Sequence, residues 1–279
     1  MTLSLSPLIR PNELIQLKKE GDYVLIDACF GREKYKESHL EGALHVDLNS
    51  ELSDIKEDVA NGGRHPLPDP VDFCRLLSQL GVSPSSHVVV YDDKNGSNAA
   101  ARFWWMLKAI GHGKVQVLDG GMDAALRAGF PSKSGQEEPK GQTNYPPSSW
   151  SLPMATIEEL DKVAQDKDFI VIDVREHERY IGKKEPIDLI AGHIPGAINI
   201  PFMDNLDQNG YFLDPEVLKN KYSKVLENKN PDHIIVHCGS GVTACHTILA
   251  MAYSGLEIPK LYVGSWSEWS RNNRPIARE

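Results

Sequence analysis

Nowhere in the 279-residue chain do about 18 apolar residues run together, and the opening MTLSLSPLIRPNELIQLKKEGD has no cationic start leading into a long apolar stretch. The reading is a chain without membrane span or secretory leader, residing in the cytoplasm. Positive charge is also scarce. Lys and Arg number 30 against 39 Asp and Glu, a formal net charge of -9. No general basic surface remains to neutralise a phosphate backbone, which excludes nucleic acid as a first partner. Cysteines are few as well. Cys29, Cys74, Cys238 and Cys245 are too unevenly spaced for a disulfide framework or paired CxxC zinc knuckles, so each must be judged alone. What is plentiful is ordinary: 41% hydrophobic and 25% charged residues, enough for two domains of typical size.

The chain says nearly everything twice. "YVLIDACF", "SHLEGALHVDL", "HVVVYDDKNGSNAAARFWWMLKAIG" and "VQVLDGGMDAAL" are answered in order by "FIVIDVRE", "GHIPGAINIPF", "HIIVHCGSGVTACHTILAMAYSG" and "LYVGSWSEW". Asp173 follows Asp27 by 146 positions, and Cys238 follows Asp92 by the same 146. Short β-branched runs at 23–26, 87–90, 115–118, 169–172, 234–236 and 261–263 suit parallel strands buried on both faces. They alternate with helical patterns at 70–80, 97–110, 156–166, 215–227 and 243–254. The reading is α/β: two tandem domains, each a doubly wound, mainly parallel sheet flanked by helices. The first spans 1–130, a Pro/Ser/Gly-rich linker 131–153, and the second 154–279.

Sites in such sheets gather beyond the carboxyl ends of the strands. Cys238 falls there: "HIIVH" ends, the cysteine follows, and "GSGVTA" turns into a helix starting near Thr243. Gly239 and Gly241 let the loop curl so that successive N–H groups point at the sulfur, and the helix N-terminus adds positive potential. Both favour the nucleophilic thiolate and predict a reactive, partly exposed sulfur. A cysteine phosphatase would also place a His-Cys pair before such a loop. It needs arginine six residues after the cysteine, where this chain has Ala244.

The tandem repeat with "DVRE", "GHIPGAINIPF", "CGSGVTA" and "GSWSEW" resembles the two-domain rhodanese-type sulfurtransferases, over nearly the whole chain. The resemblance implies a catalytic Cys238 and an inactive first domain, in which Asp92 stands in place of the cysteine and which forms one wall of a cleft. It implies a relay in which Cys238 takes a sulfur from a small anionic donor as a persulfide and passes it to cyanide or a thiol acceptor, such as thioredoxin. No metal or organic cofactor is implied. Gly239 and Ser240 after the cysteine match the enzymes for 3-mercaptopyruvate, whereas basic residues there mark the thiosulfate enzymes, which remain the alternative. The loop residues Gly239, Gly241, Val242 and Thr243 would bind the donor together with Arg179, matched to an arginine that holds its anionic end. Ser240 and His65 would assist proton movement. A non-catalytic rhodanese-like binding module is the alternative of another class.

Two departures accompany the match. The family pattern has a second arginine after Glu-Pro, where this chain has Ile187 following Glu185 and Pro186; the acid partner of the histidine aligns with Asn49, two residues after Asp47. Other conspicuous side chains read as structural: Cys245, Trp104, Trp105 and Met106 as core, His39 and His193 as hydrogen-bonding residues, and Asp173 and Arg175 as the pair ordering the turn after a strand.

Overall fold

The computed structural model describes residues 5–97, 99–227 and 229–279. Residues 1–4 of the expected first domain and Asn98 of the helix expected over 97–110 lie outside the described residues, as does Asn228.

The chain forms two compact units. The first comprises the chain up to Ser53, Leu67–Ser151 and Gln208–Tyr211. Its strands are β1 (Leu8–Ile9), β2 (Val24–Asp27), β3 (His39–Leu40), β4 (Ala43–His45), β5 (Val88–Tyr91), β6 (Val115–Leu118) and β7 (Ser132–Lys133). Its helices are α1 (Pro11–Glu20), α2 (Arg32–Glu37), α3 (Pro70–Gln79), α4 (Ala99–Ala109) and α5 (Gly121–Arg127). The sheet runs β1-β6-β5-β2-β4, parallel throughout. Val88–Tyr91 and Val115–Leu118 are buried along their whole length, which is why the first reads as a continuous apolar run; in the second the buried Gln116 amide donates to the Leu8 carbonyl at 2.9 Å. Leu14, Leu25, Val89, Tyr91, Leu118 and Phe130 close the core between sheet and helices.

The second unit comprises Asp54–Pro66, Leu152–Asp207 and Phe212–Glu279. It repeats the plan with β8 (Met154–Ala155), β9 (Ile170–Asp173), β10 (Ile198–Asn199), β11 (Ile234–His237) and β12 (Lys260–Tyr262). The helices are α6 (Ile157–Val163), α7 (His177–Tyr180), α8 (Pro215–Leu226), α9 (Thr243–Tyr253) and α10 (Ser265–Trp269). Its parallel sheet runs β10-β9-β11-β12-β8, so β11 is central, as β5 is in the first. Each fold is therefore α/β with a parallel sheet flanked by helices. Among the described residues no helix is long and apolar enough to cross a membrane.

Helix starts follow local chemistry. Asp69 and Asp214 precede Pro70 and Pro215, and each carboxylate accepts a first-turn N–H, at 2.7 Å from Val71 and 2.9 Å from Glu216. Thr156 does the same for α6. Two segments behave in ways composition does not announce. The stretch 131–153 is bound to the first unit: β7 pairs antiparallel with β3, and the Ser151 N–H donates to the Ala109 carbonyl at 2.7 Å. Residues 54–66, inside the range read as the first domain, pack with the second unit. There the Gly62 N–H donates to Glu268 Oε1 and the Arg64 N–H to Ser267 Oγ, each at 3.0 Å.

Candidate active site

Cys238 directly follows the central strand β11 and is separated from α9 by four intervening residues. The loop is pinned from the α10 side. The Cys238 N–H donates to Ser265 Oγ at 3.1 Å, its carbonyl accepts the Trp266 N–H at 3.0 Å, and the Gly239 carbonyl accepts the Ser267 N–H at 2.9 Å. Gly241 has φ +75°, and a Cβ there would collide with the Val263 carbonyl, so glycine is required both by conformation and by space. The expectation for Gly239 is corrected: its φ lies outside the left-handed region, and an added Cβ would meet only the end of the flexible Arg64 side chain, Nη2 at 2.9 Å. Val242 closes the loop and Thr243 starts α9, where the sequence placed it. One expectation is corrected: Cys238 is 1% exposed, buried rather than partly exposed, because the α10 turn is hydrogen-bonded over its loop.

The equivalent loop of the first unit shows what such a turn binds. Asp92, fully buried after β5, accepts the Lys94 and Gly96 N–H groups on Oδ1 at 2.9 and 2.8 Å, and the Ala100 N–H on Oδ2 at 3.1 Å. Loop and helix-start N–H groups converge there on a negative charge.

The expected proton-moving pair is together: His65 Nδ1 lies 2.8 Å from Ser240 Oγ. Arg179, on α7, directs Nε and Nη2 at Glu185, the latter at 2.7 Å, and Nη2 also at Asp188 Oδ2, 3.1 Å away. A Cβ on Gly239 would lie 3.5 Å from that Nη2, so the guanidinium borders the residue after Cys238. Arg64 and Asp188, which sequence reasoning missed, complete this cluster together with Arg271. Arg64 donates to Asp188 Oδ1 through Nε at 2.9 Å, and Arg271 Nη1 lies 3.5 Å from the same oxygen. Their signals were adjacency only: Arg64 precedes His65, and Asp188 follows Ile187. Ile187 itself is 54% exposed.

Beneath the cluster, Arg175 binds Asp173 and reaches Glu185 at 3.2 Å, with its guanidinium over the Trp266 ring. Burial alone would raise the Asp173 carboxyl, but the Arg175 charge and then His237 outweigh it and hold it below the usual carboxylate range. Burial would raise Glu185 too; hydrogen bonds from Arg179 and the Asp188 backbone bring it below normal. His237, fully buried at the end of β11, is pushed down by burial, with Asp173 opposing.

Asn49 is exposed, and its N–H donates to Asp47 Oδ1 at 3.0 Å within a turn of the first unit. His39 and His193 hold structural bonds of the same kind, with Nδ1 2.8 Å from the carbonyls of Tyr35 and Tyr180. Cys245 is buried in α9 with Sγ 3.3 Å from the Gly241 carbonyl, and Trp104, Trp105 and Met106 lie in the core.

Comparison with known proteins gives this geometry its relatives. The rhodanese-like domain model matches twice, at residues 10–128 and 156–272. The chain is 38% identical to a probable 3-mercaptopyruvate sulfurtransferase of Pseudomonas aeruginosa, with 99% of each chain covered. It is 36% identical to the thiosulfate sulfurtransferase of Mus musculus, covering 88% of this chain and 82% of that one. The 3-mercaptopyruvate sulfurtransferase of Leishmania major superposes with a TM-score of 0.83 at 28% identity, over 96% of this chain and 75% of that one.

Proposed function

Since the chain belongs to the rhodanese family and is an enzyme of sulfur transfer, we propose that Cys238 is its sulfur carrier and 3-mercaptopyruvate its main donor. The observation that carries the reading is the placement of Cys238 in a glycine-shaped loop at the carboxyl end of the central strand, with Ser240 bonded to His65 and two guanidinium groups beside Gly239.

In the first step the Cys238 thiolate attacks the donor sulfur. The new S–S bond forms as the donor C–S bond breaks, and its electron pair passes into the adjoining carbonyl as an enolate, which takes up a proton to give pyruvate. Ser240 and His65 supply the hydrogen-bonded path for that proton. Loop N–H groups from Gly239 to Thr243 would take the charge on sulfur, as the first unit's loop takes the Asp92 carboxylate. Arg179 and Arg64 take the donor carboxylate. In the second step an acceptor, cyanide or a thiol such as that of thioredoxin, attacks the outer sulfur and restores the thiolate. All four cysteines are buried thiols, which supports a reducing compartment such as the cytoplasm. Nucleic acid plays no part in this reading.

Thiosulfate is the second reading, favoured by the murine relative's name. The test is intact-protein mass after brief exposure to each donor. A gain of about 32 Da at Cys238, absent from Cys238→Ser, is expected, and faster with 3-mercaptopyruvate. No gain from either donor would overturn the reading in favour of a binding module.

A further inference from the structure

Resting on this sulfurtransferase reading, we propose that Asp188 is a specificity-determining residue that tunes the Cys238 loop to a monoanionic donor, and that Arg64 is the second guanidinium of the donor site. The sequence pattern leaves that arginine vacant at Ile187, which points to solvent. Arg64 reaches the same place from residues 54–66, a different stretch of chain, and lies closest to where a Gly239 side chain would be.

Asp188 sits among three arginines: Arg64, Arg179 and Arg271 face its carboxylate at 2.9, 3.1 and 3.5 Å. It is 8% exposed between two exposed apolar neighbours, Ile187 at 54% and Leu189 at 68%. The turn that drives an acid inward while its flanks face solvent is itself fixed. Glu185 Oε1 accepts the N–H groups of Ile187 and Asp188 at 3.1 and 3.0 Å.

The consequence is a charge count. The connected groups are four guanidiniums, Arg64, Arg175, Arg179 and Arg271, and three carboxylates, Asp173, Glu185 and Asp188. His237, adjoining Asp173, is kept neutral at pH 7 by burial. Setting aside the Cys238 thiolate, whose charge is assigned to the loop N–H groups, one positive charge is left beside the loop. A monocarboxylate donor balances it; a dianion such as thiosulfate leaves one negative charge uncompensated in a buried place, which is unfavourable. Neutralising Asp188 raises the surplus to two and removes the discrimination.

The test measures kcat/KM for 3-mercaptopyruvate and thiosulfate in the wild type, Asp188→Asn and Arg64→Gln. Asp188→Asn is expected to shift the ratio of the two about tenfold toward thiosulfate, through the thiosulfate KM. Arg64→Gln is expected to raise both donor KM values and to shift the ratio the opposite way. A purely structural role for either residue would lower both efficiencies together and leave their ratio fixed. If the ratio stays within twofold of wild type in the folded variants, the proposal is overturned; should Asp188→Asn fail to fold, Arg64→Gln decides alone. A wild type that transfers sulfur from neither donor would instead overturn the underlying reading and the proposal with it.

Discussion

Asp92 and Cys238 occupy one position of a repeated turn, and the carboxylate fills its loop with its own negative charge. Replacing Asp92 with alanine strips three backbone N–H groups of their acceptor. We expect a loss of roughly 2 kcal/mol in urea unfolding, while sulfur uptake at Cys238 persists; equal stability would show that water satisfies the loop. Gly241→Ala forces a side chain into a left-handed residue against Val263. We expect it to abolish persulfide formation in the mass assay, and an unimpaired variant would remove the strain argument. Of these details, the positions of Cys238 and Gly241 were legible, because both lie in one contiguous motif, whereas the Ser240–His65 pairing, across 175 positions, rested on the resemblance to a known family alone. The placements of Arg64 and Asp188 were not legible. They depend on a contact between residues 124 positions apart that no local pattern records.

Strands and helices were legible where the physics is local. The β-branched runs became β2, β5, β6, β9, β11 and β12 with ends shifted by about one residue, and the helical patterns at 70–80 and 215–227 became α3 and α8. The two-residue edge strands β1, β8 and β10 were not, since two residues show no period. The docking of 131–153 was equally silent, because its backbone bonds use groups every residue possesses. Two histidines at this scale set a pH response. His237 ends β11 and His112 follows α4; burial lowers both, against hydrogen bonds that partly restore them. Folding therefore favours their neutral forms. The unfolded chain protonates below its pKa near 6.5, so stability is full above that pH and falls as pH drops toward the lower folded-state values, by up to about 1.4 kcal/mol per pH unit for each histidine. Urea midpoints between pH 7 and 5 check this, and His112→Gln is expected to flatten the slope.

Across the whole molecule, sequence order and spatial grouping part company at 54–66. This strap belongs by position to the first repeat and by packing to the second unit, where the Asn272 side-chain amide also grips the Ala60 carbonyl at 2.8 Å. Gly63 has φ +81°, and a Cβ would collide with the Gly264 carbonyl. Gly63→Ala is therefore expected to lift the strap. Limited proteolysis would then cut within 54–66 faster than in the wild type and donor KM would rise; an unchanged digestion pattern would show that the collision is relieved locally. The strap also bears on heredity. A recombination event at 131–153 would carry off a half-gene encoding the cysteine but leave behind the codons for Arg64 and His65, so the proposed site is inherited across both halves of the gene.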